Sequence, residues 1–174
     1  ITPEQKLERV EIADSGWGAV AMIGDHIYYA QGQFPKDFIG KFSGALAFIY
    51  ILEATAQLLA LIAFGDILDE FVISFCDNTA VESCLHKGDG SDSAVNSLAS
   101  QYWALSCVCN KQPAFARVSS AANCSDGVSR GDLTMPEKYG WIRLHLPANT
   151  WKTIYSMDVS IPSTGLKAAL SIQK

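Results

Sequence analysis

Four carboxylates, Asp14, Glu53, Asp77 and Asp126, are strung along this chain, the last of them inside Val118-Ser-Ser-Ala-Ala-Asn-Cys-Ser-Asp-Gly-Val-Ser-Arg130. Gathered into one small site, four acids cannot all stay ionised unless cations sit among them. Oxygen-only donors select hard ions, magnesium or manganese. Two such ions, about 3.5 to 4 Å apart, activate water and hold the leaving oxygen in phosphodiester cleavage. Softer metals find no donor set. Cys107 and Cys109 face different sides of a helix and lack a second pair. His26, His86 and His145 are scattered and suggest no Ser-His-Asp arrangement.

The elements that must position these acids can be read from hydrophobic pattern. Ser43 to Leu68 is the most apolar run, but Glu53, Gln57 and Asp66 interrupt it, and central carboxylates are expensive in lipid. It reads as a buried helix, with Ile49, Leu52, Ala56, Leu59, Ala60 and Ala63 at helical spacing and Gly44 and Gly65 at its ends. Glu53 then sits mid-helix, with Gln57 one turn later on the same face. Phe71-Val-Ile-Ser-Phe-Cys76 has the length and continuous apolarity of a buried central strand that emerges at Asp77-Asn78.

Upstream, Leu7 to Ile12, Trp17 to Ile23 and His26 to Phe34 are β-prone runs broken by Asp14-Ser15-Gly16 and Gly24-Asp25, the pattern of a three-strand meander. Downstream, a helix is expected through Leu85, a loop at Gly88 to Ser93, a helix over Ala94 to Val108, a strand over Ala114 to Ser119 and a short helix at Asp126. The order is βββ-α-β-α-α-β-α. Residues 133–174, with three prolines, Trp141 and Trp151 and no clear period, read as an extension that packs on the core or on a partner.

Composition narrows the function classes. At 174 residues and 49% hydrophobic content the chain can bury a core, and one domain over residues 1–132 plus the extension is expected. Thirteen Lys and Arg against eighteen Asp and Glu give a net charge of -5, which argues against a stand-alone nucleic-acid binder relying on counterion release. Five cysteines, an odd number, and no charged-then-apolar leader at Ile1 favour a reducing, intracellular setting in cytoplasm or nucleus. No membrane association is expected.

Several short motifs then agree in order with a known family. Gly16-Trp-Gly-Ala-Val20, Ile51-Leu-Glu-Ala54, Cys76-Asp-Asn-Thr-Ala80, Lys87-Gly88 and Asn123-Cys-Ser-Asp-Gly-Val-Ser-Arg130 make residues 7 to 132 resemble the ribonuclease H domain of reverse transcriptases encoded by retroelements. The resemblance implies an α/β fold with a mixed five-stranded sheet in βββαβαβα order, flanked by helices. It implies cleavage of the RNA strand of RNA-DNA hybrids by two ions, Mg2+ or Mn2+. Asp14, Glu53, Asp77 and Asp126 would be both catalytic and metal-binding, and Asn78 and Lys87 would touch substrate, Asn78 near the 2′-hydroxyl that tells RNA from DNA.

The chain also departs from the family. Counted back from Gly16-Trp17 without a gap, the first acid falls on Glu11, a rival to Asp14. No histidine lies between His86 and His145, and no basic protrusion is present to grip hybrid. Substrate holding would then fall to the reverse transcriptase domain or another subunit. A second function class stays open: a degenerate ribonuclease H-like domain that keeps the fold, has lost its ions and serves as an interaction module.

Overall fold

Gly24, at φ 57°, turns the chain between two eight-residue strands, β1 (Gly16–Ile23) and β2 (His26–Gln33). This backbone geometry comes from a computed structural model, which describes residues 16–42, 48–88 and 93–156. The hairpin is antiparallel and closes at Ile23 opposite His26, as Gly24-Asp25 led one to expect. The expected strand at Leu7 to Ile12, and with it Glu11 and Asp14, lies outside the described residues. Along β1 the side chains alternate, burying Trp17, Ala19 and Ala21. Trp17 stands opposite Gly32, where a Cβ would come within 2.9 Å of its indole nitrogen, so the bare backbone of β2 is what seats the ring.

Helix α1 (Lys36–Phe42) follows β2 and buries Phe38 and Ile39; it was not foreseen, because Gly40 and the charged Lys36, Asp37 and Lys41 blur its apolar face. Helix α2 (Phe48–Phe64) is the apolar segment, narrower than the Ser43 to Leu68 run, with residues 43–47 outside the described set. Ile51, Leu58 and Leu59 are fully buried and Thr55 Oγ1 satisfies itself on the Ile51 carbonyl at 2.7 Å. Ile49, expected in the core, is 44% exposed. A helix apolar nearly all round carries little signal about which side faces the core. No described helix is long and apolar enough to cross a membrane.

Strand β3 (Phe71–Cys76) leads through α3 (Thr79–Lys87) and α4 (Ser93–Val108) to β4 (Gln112–Arg117), which pairs with it in parallel from Phe71 opposite Gln112 to Cys76 opposite Arg117. Two helices supply the crossover that a parallel pair requires. The reading of β3 as a buried strand needs correction: Phe71, Ile73 and Phe75, alternating on one face, are 73%, 65% and 58% exposed. Among the described residues β3 has one strand neighbour, β4, and the face that bears these three side chains is left open by them.

Beyond residue 132 the described chain runs to residue 156. Helix α5 (Ser125–Ser129) and helix α6 (Thr134–Tyr139) precede β5 (Ile142–Arg143), a two-residue strand parallel to β2 that is extended by the Leu144 amide donating to the Tyr29 carbonyl at 2.8 Å. In α7 (Thr150–Ser156) the Trp151 ring meets Phe38 at 5.5 Å and Phe34 at 5.9 Å, and Ile154 is buried. The protein is thus a mixed α/β fold. Its described strands form a mixed sheet ordered β1-β2-β5 and a separate parallel pair β3-β4, while the first strand of the expected five-stranded sheet, Leu7 to Ile12, lies outside the described residues.

Candidate functional site

Helix α2 turns Glu53 and Gln57, four residues apart, toward β3. Gln57 fixes the relation. Its Nε2 donates to the Phe75 carbonyl at 3.1 Å and its Oε1 accepts from Ser74 Oγ at 2.7 Å, so helix and strand are joined by a two-point contact one turn from Glu53. The end of β3 is thereby held beside Glu53. There Cys76 closes the strand, Asp77 follows, and Asn78 opens α3 as its cap, its Oδ1 accepting from the Ala80 and Val81 amides at 3.0 and 3.2 Å.

Glu53 is the electrostatic centre of this corner. Burial, and next the negative charge of Asp77, push its carboxyl up to about 7, while a hydrogen bond from the Asn78 side chain pulls the other way. Its Oε2 is buried and finds no hydrogen-bond partner among the described residues. A carboxyl oxygen in that condition is costly unless a proton or a cation occupies it. The neighbouring Cys76 thiol is pushed up to about 11, chiefly by burial, and donates to the Asn78 carbonyl at 3.4 Å, which leaves it neutral and unreactive.

The opposite wall is built on glycine. Helix α5 lies directly on β1: a Cβ on Gly16 would fall on the Ser129 carbonyl, and one on Gly18 on the Ser129 amide. The Gly16-Trp-Gly18 motif therefore serves close helix-strand approach. That approach carries Asp126 to the mouth of a trough of about 810 Å³ between β1, β3 and α2, which Glu53, Asp77, Asn123 and Asp126 all line. Asp126 pairs with Arg130 at 3.3 Å, with both side chains substantially exposed. Asn123 donates from Nδ2 to Asp77 Oδ2 at 3.0 Å.

Three of the expected acids, Glu53, Asp77 and Asp126, thus line one trough, with Glu53 and Asp77 close enough for charge to act between them. Asp14 and Glu11 lie outside the described residues. Among the described residues no group of three His, Cys, Asp or Glu side chains stands close enough to hold a metal ion. Asn78, expected at substrate, is a helix cap whose oxygen is committed to backbone amides and whose side chain also bonds Glu53. Lys87 is exposed at the far end of the nine-residue α3, roughly 13 Å of helical rise away, and does not line the trough.

Two residues of the corner carried no role in the sequence reading. Gln57 had a signal in its position one turn after Glu53 in an apolar helix, and Asn123 in its place within the Asp126 motif. The donors this corner leaves available are oxygens, the orphaned Glu53 Oε2 and the Asp77 carboxylate, the donor type that hard divalent cations take. Compared with known protein families, characterised proteins and solved structures, the chain matches none.

Proposed function

We propose that this chain is a metal-dependent endonuclease of ribonuclease H type, cutting the RNA strand of RNA-DNA hybrids inside the cell as part of a retroelement reverse transcriptase. The observation that carries the reading is the buried, unpartnered Glu53 Oε2 beside Asp77, in a trough shared with Asp126. Two ions, Mg2+ or Mn2+, would be held by Glu53, Asp77, Asp126 and either Asp14 or Glu11, and when bound they supply an activated water and positive charge for the leaving oxygen.

The finer architecture belongs to the same proposal. Among the described residues β1 and β3 each pair along one edge only, and both line the trough. The five strands of the proposed sheet would be the Leu7 to Ile12 run expected from the sequence together with β1 to β4, the two-residue β5 being a sixth at the β2 edge.

What the chain's own residues do follows from their surroundings. Glu53 holds a proton below about pH 7 and must release it to act as a ligand. Asn78 steadies that carboxyl through its side-chain hydrogen bond, a positioning role more immediate than contact with a 2′-hydroxyl. Lys87 remains a contact for hybrid lying along α3. With a net charge of -5 the chain leaves the grip on a polyanion to the polymerase domain or to another subunit.

The degenerate-scaffold alternative draws on the Asp126–Arg130 pair, which engages one of the acids without a metal. Thermal melting separates the two. A chain with a functional site is stabilised by several degrees in millimolar Mg2+ or Mn2+, because a ligand bound only by the native state raises stability. A scaffold melts at the same temperature with and without the ions.

A further inference from the structure

The side-chain amide of Asn123 is committed at both ends. Its Oδ1 accepts from the Ser125 amide at 3.1 Å and from Ser125 Oγ at 2.7 Å, which fixes the plane of the amide. Its Nδ2 reaches away from that loop to Asp77 Oδ2 at 3.0 Å, a partner 46 residues distant. Its backbone carbonyl accepts the Asp126 amide at 3.2 Å. A residue serving only to shape the loop would use the two Ser125 bonds and leave Nδ2 to solvent. Here Nδ2 instead reaches Asp77, while the backbone carbonyl of the same residue holds the Asp126 amide, so Asn123 joins two acids that stand on different elements.

We propose that Asn123 is a positioning residue that orients Asp77 and sets Asp126 in fixed relation to it for a divalent cation, an inference that rests on the nuclease reading. The chemistry suits the task. A carboxylate tied at one oxygen to a locked donor loses rotation about its terminal bond, and its second oxygen stays available as a ligand. A neutral donor does this without adding a charge that would repel a cation or neutralise the acid. Groups that hydrogen-bond a ligating carboxylate in this way typically govern metal affinity tenfold to a hundredfold.

The test measures Mn2+ binding to the whole chain by the electron paramagnetic resonance of free ion, for the parent, Asn123→Ala, Asp77→Ala and the double variant. Asn123→Ala is expected to weaken half-saturation about tenfold, and to add nothing once Asp77 is alanine, because its action runs through that carboxylate. Ser125→Ala, which removes one of the two bonds holding the amide plane, gives a smaller loss in the same direction and serves if Asn123→Ala does not fold. The side-chain amide resonances of Asn123, recorded without metal, shift in Asp77→Ala. Parent-like binding by Asn123→Ala, an equal loss in the Asp77→Ala background, or unmoved amide resonances would each overturn the positioning role alone. Failure of the parent to bind Mn2+ would overturn the nuclease reading instead.

Discussion

Gly18 of β1 lies directly beneath the backbone of Ser129 in α5, so closely that a Cβ at position 18 would stand 2.8 Å from the Ser129 Cα. The helix that carries Asp126 is seated by the lack of a side chain on the strand below. Gly18→Ala is expected to lose about 1 to 3 kcal/mol of stability through overpacking, read by urea unfolding, and to weaken Mn2+ binding as α5 is pushed outward. Unchanged stability would show that α5 does not rest on β1.

The raised Glu53 carboxyl makes a pH dependence. Its folded value of about 7 exceeds its ordinary 4.5, so between these two values the native state holds more proton than the unfolded chain. Metal-free stability therefore contains a contribution that is full below pH 4.5 and is lost as pH rises through 7. Partial exposure screens it to about 1 to 2 kcal/mol. Melting curves from pH 4.5 to 8 should show this loss in the parent and not in Glu53→Gln, which is expected to be the more stable protein at pH 8. A parallel pH profile in the two would contradict the assignment.

Asn78 acts twice, as cap of α3 and as a bond to Glu53. Asn78→Ala is expected to cost about 1 kcal/mol in cap strength and to move the Glu53 titration upward from 7, since the removed bond favoured the charged form. Carbon-13 titration of the Glu53 carboxyl checks the direction, and a downward move would contradict it.

Trp151 joins the C-terminal part of the described chain to the core by packing on Phe34 and Phe38. Its side chain is half-buried, so Trp151→Ala is expected to lose about 2 kcal/mol, less than the 3 to 5 of a fully buried ring. Hydrogen exchange should report the opening at α7 and β5, leaving α2 protected; loss spread evenly over the chain would contradict this docking.

What was legible in the sequence follows from how local each signal is. The β1–β2 hairpin rests on Gly24-Asp25, and α4 on a long uninterrupted helical stretch, and both stand within a residue or two of expectation. Strand β4 begins two residues earlier than Ala114, since Gln112 already accepts its place opposite Phe71. The short α1 and the two-residue β5 are held by tertiary contacts, Phe38 against Trp151 and Leu144 against Tyr29, which no local pattern announces. Glu53 and Asp77 stood out because an acid is conspicuous at mid-helix in an apolar run and at the end of an apolar strand. Gln57 and Asn123 act through partners 17 and 46 residues away, and their roles become visible only once the chain is folded.

The most direct measurement incubates the chain with a labelled RNA-DNA hybrid in Mg2+ and follows cleavage of the RNA strand, with Glu53→Gln and Asp77→Asn alongside. The parent is expected to cut the RNA strand, chelation to stop it, and each variant to lose at least a hundredfold in rate, on the order of 3 kcal/mol of transition-state stabilisation. Cleavage that persists in both variants, or a correctly folded parent that leaves the hybrid intact, would contradict the nuclease assignment.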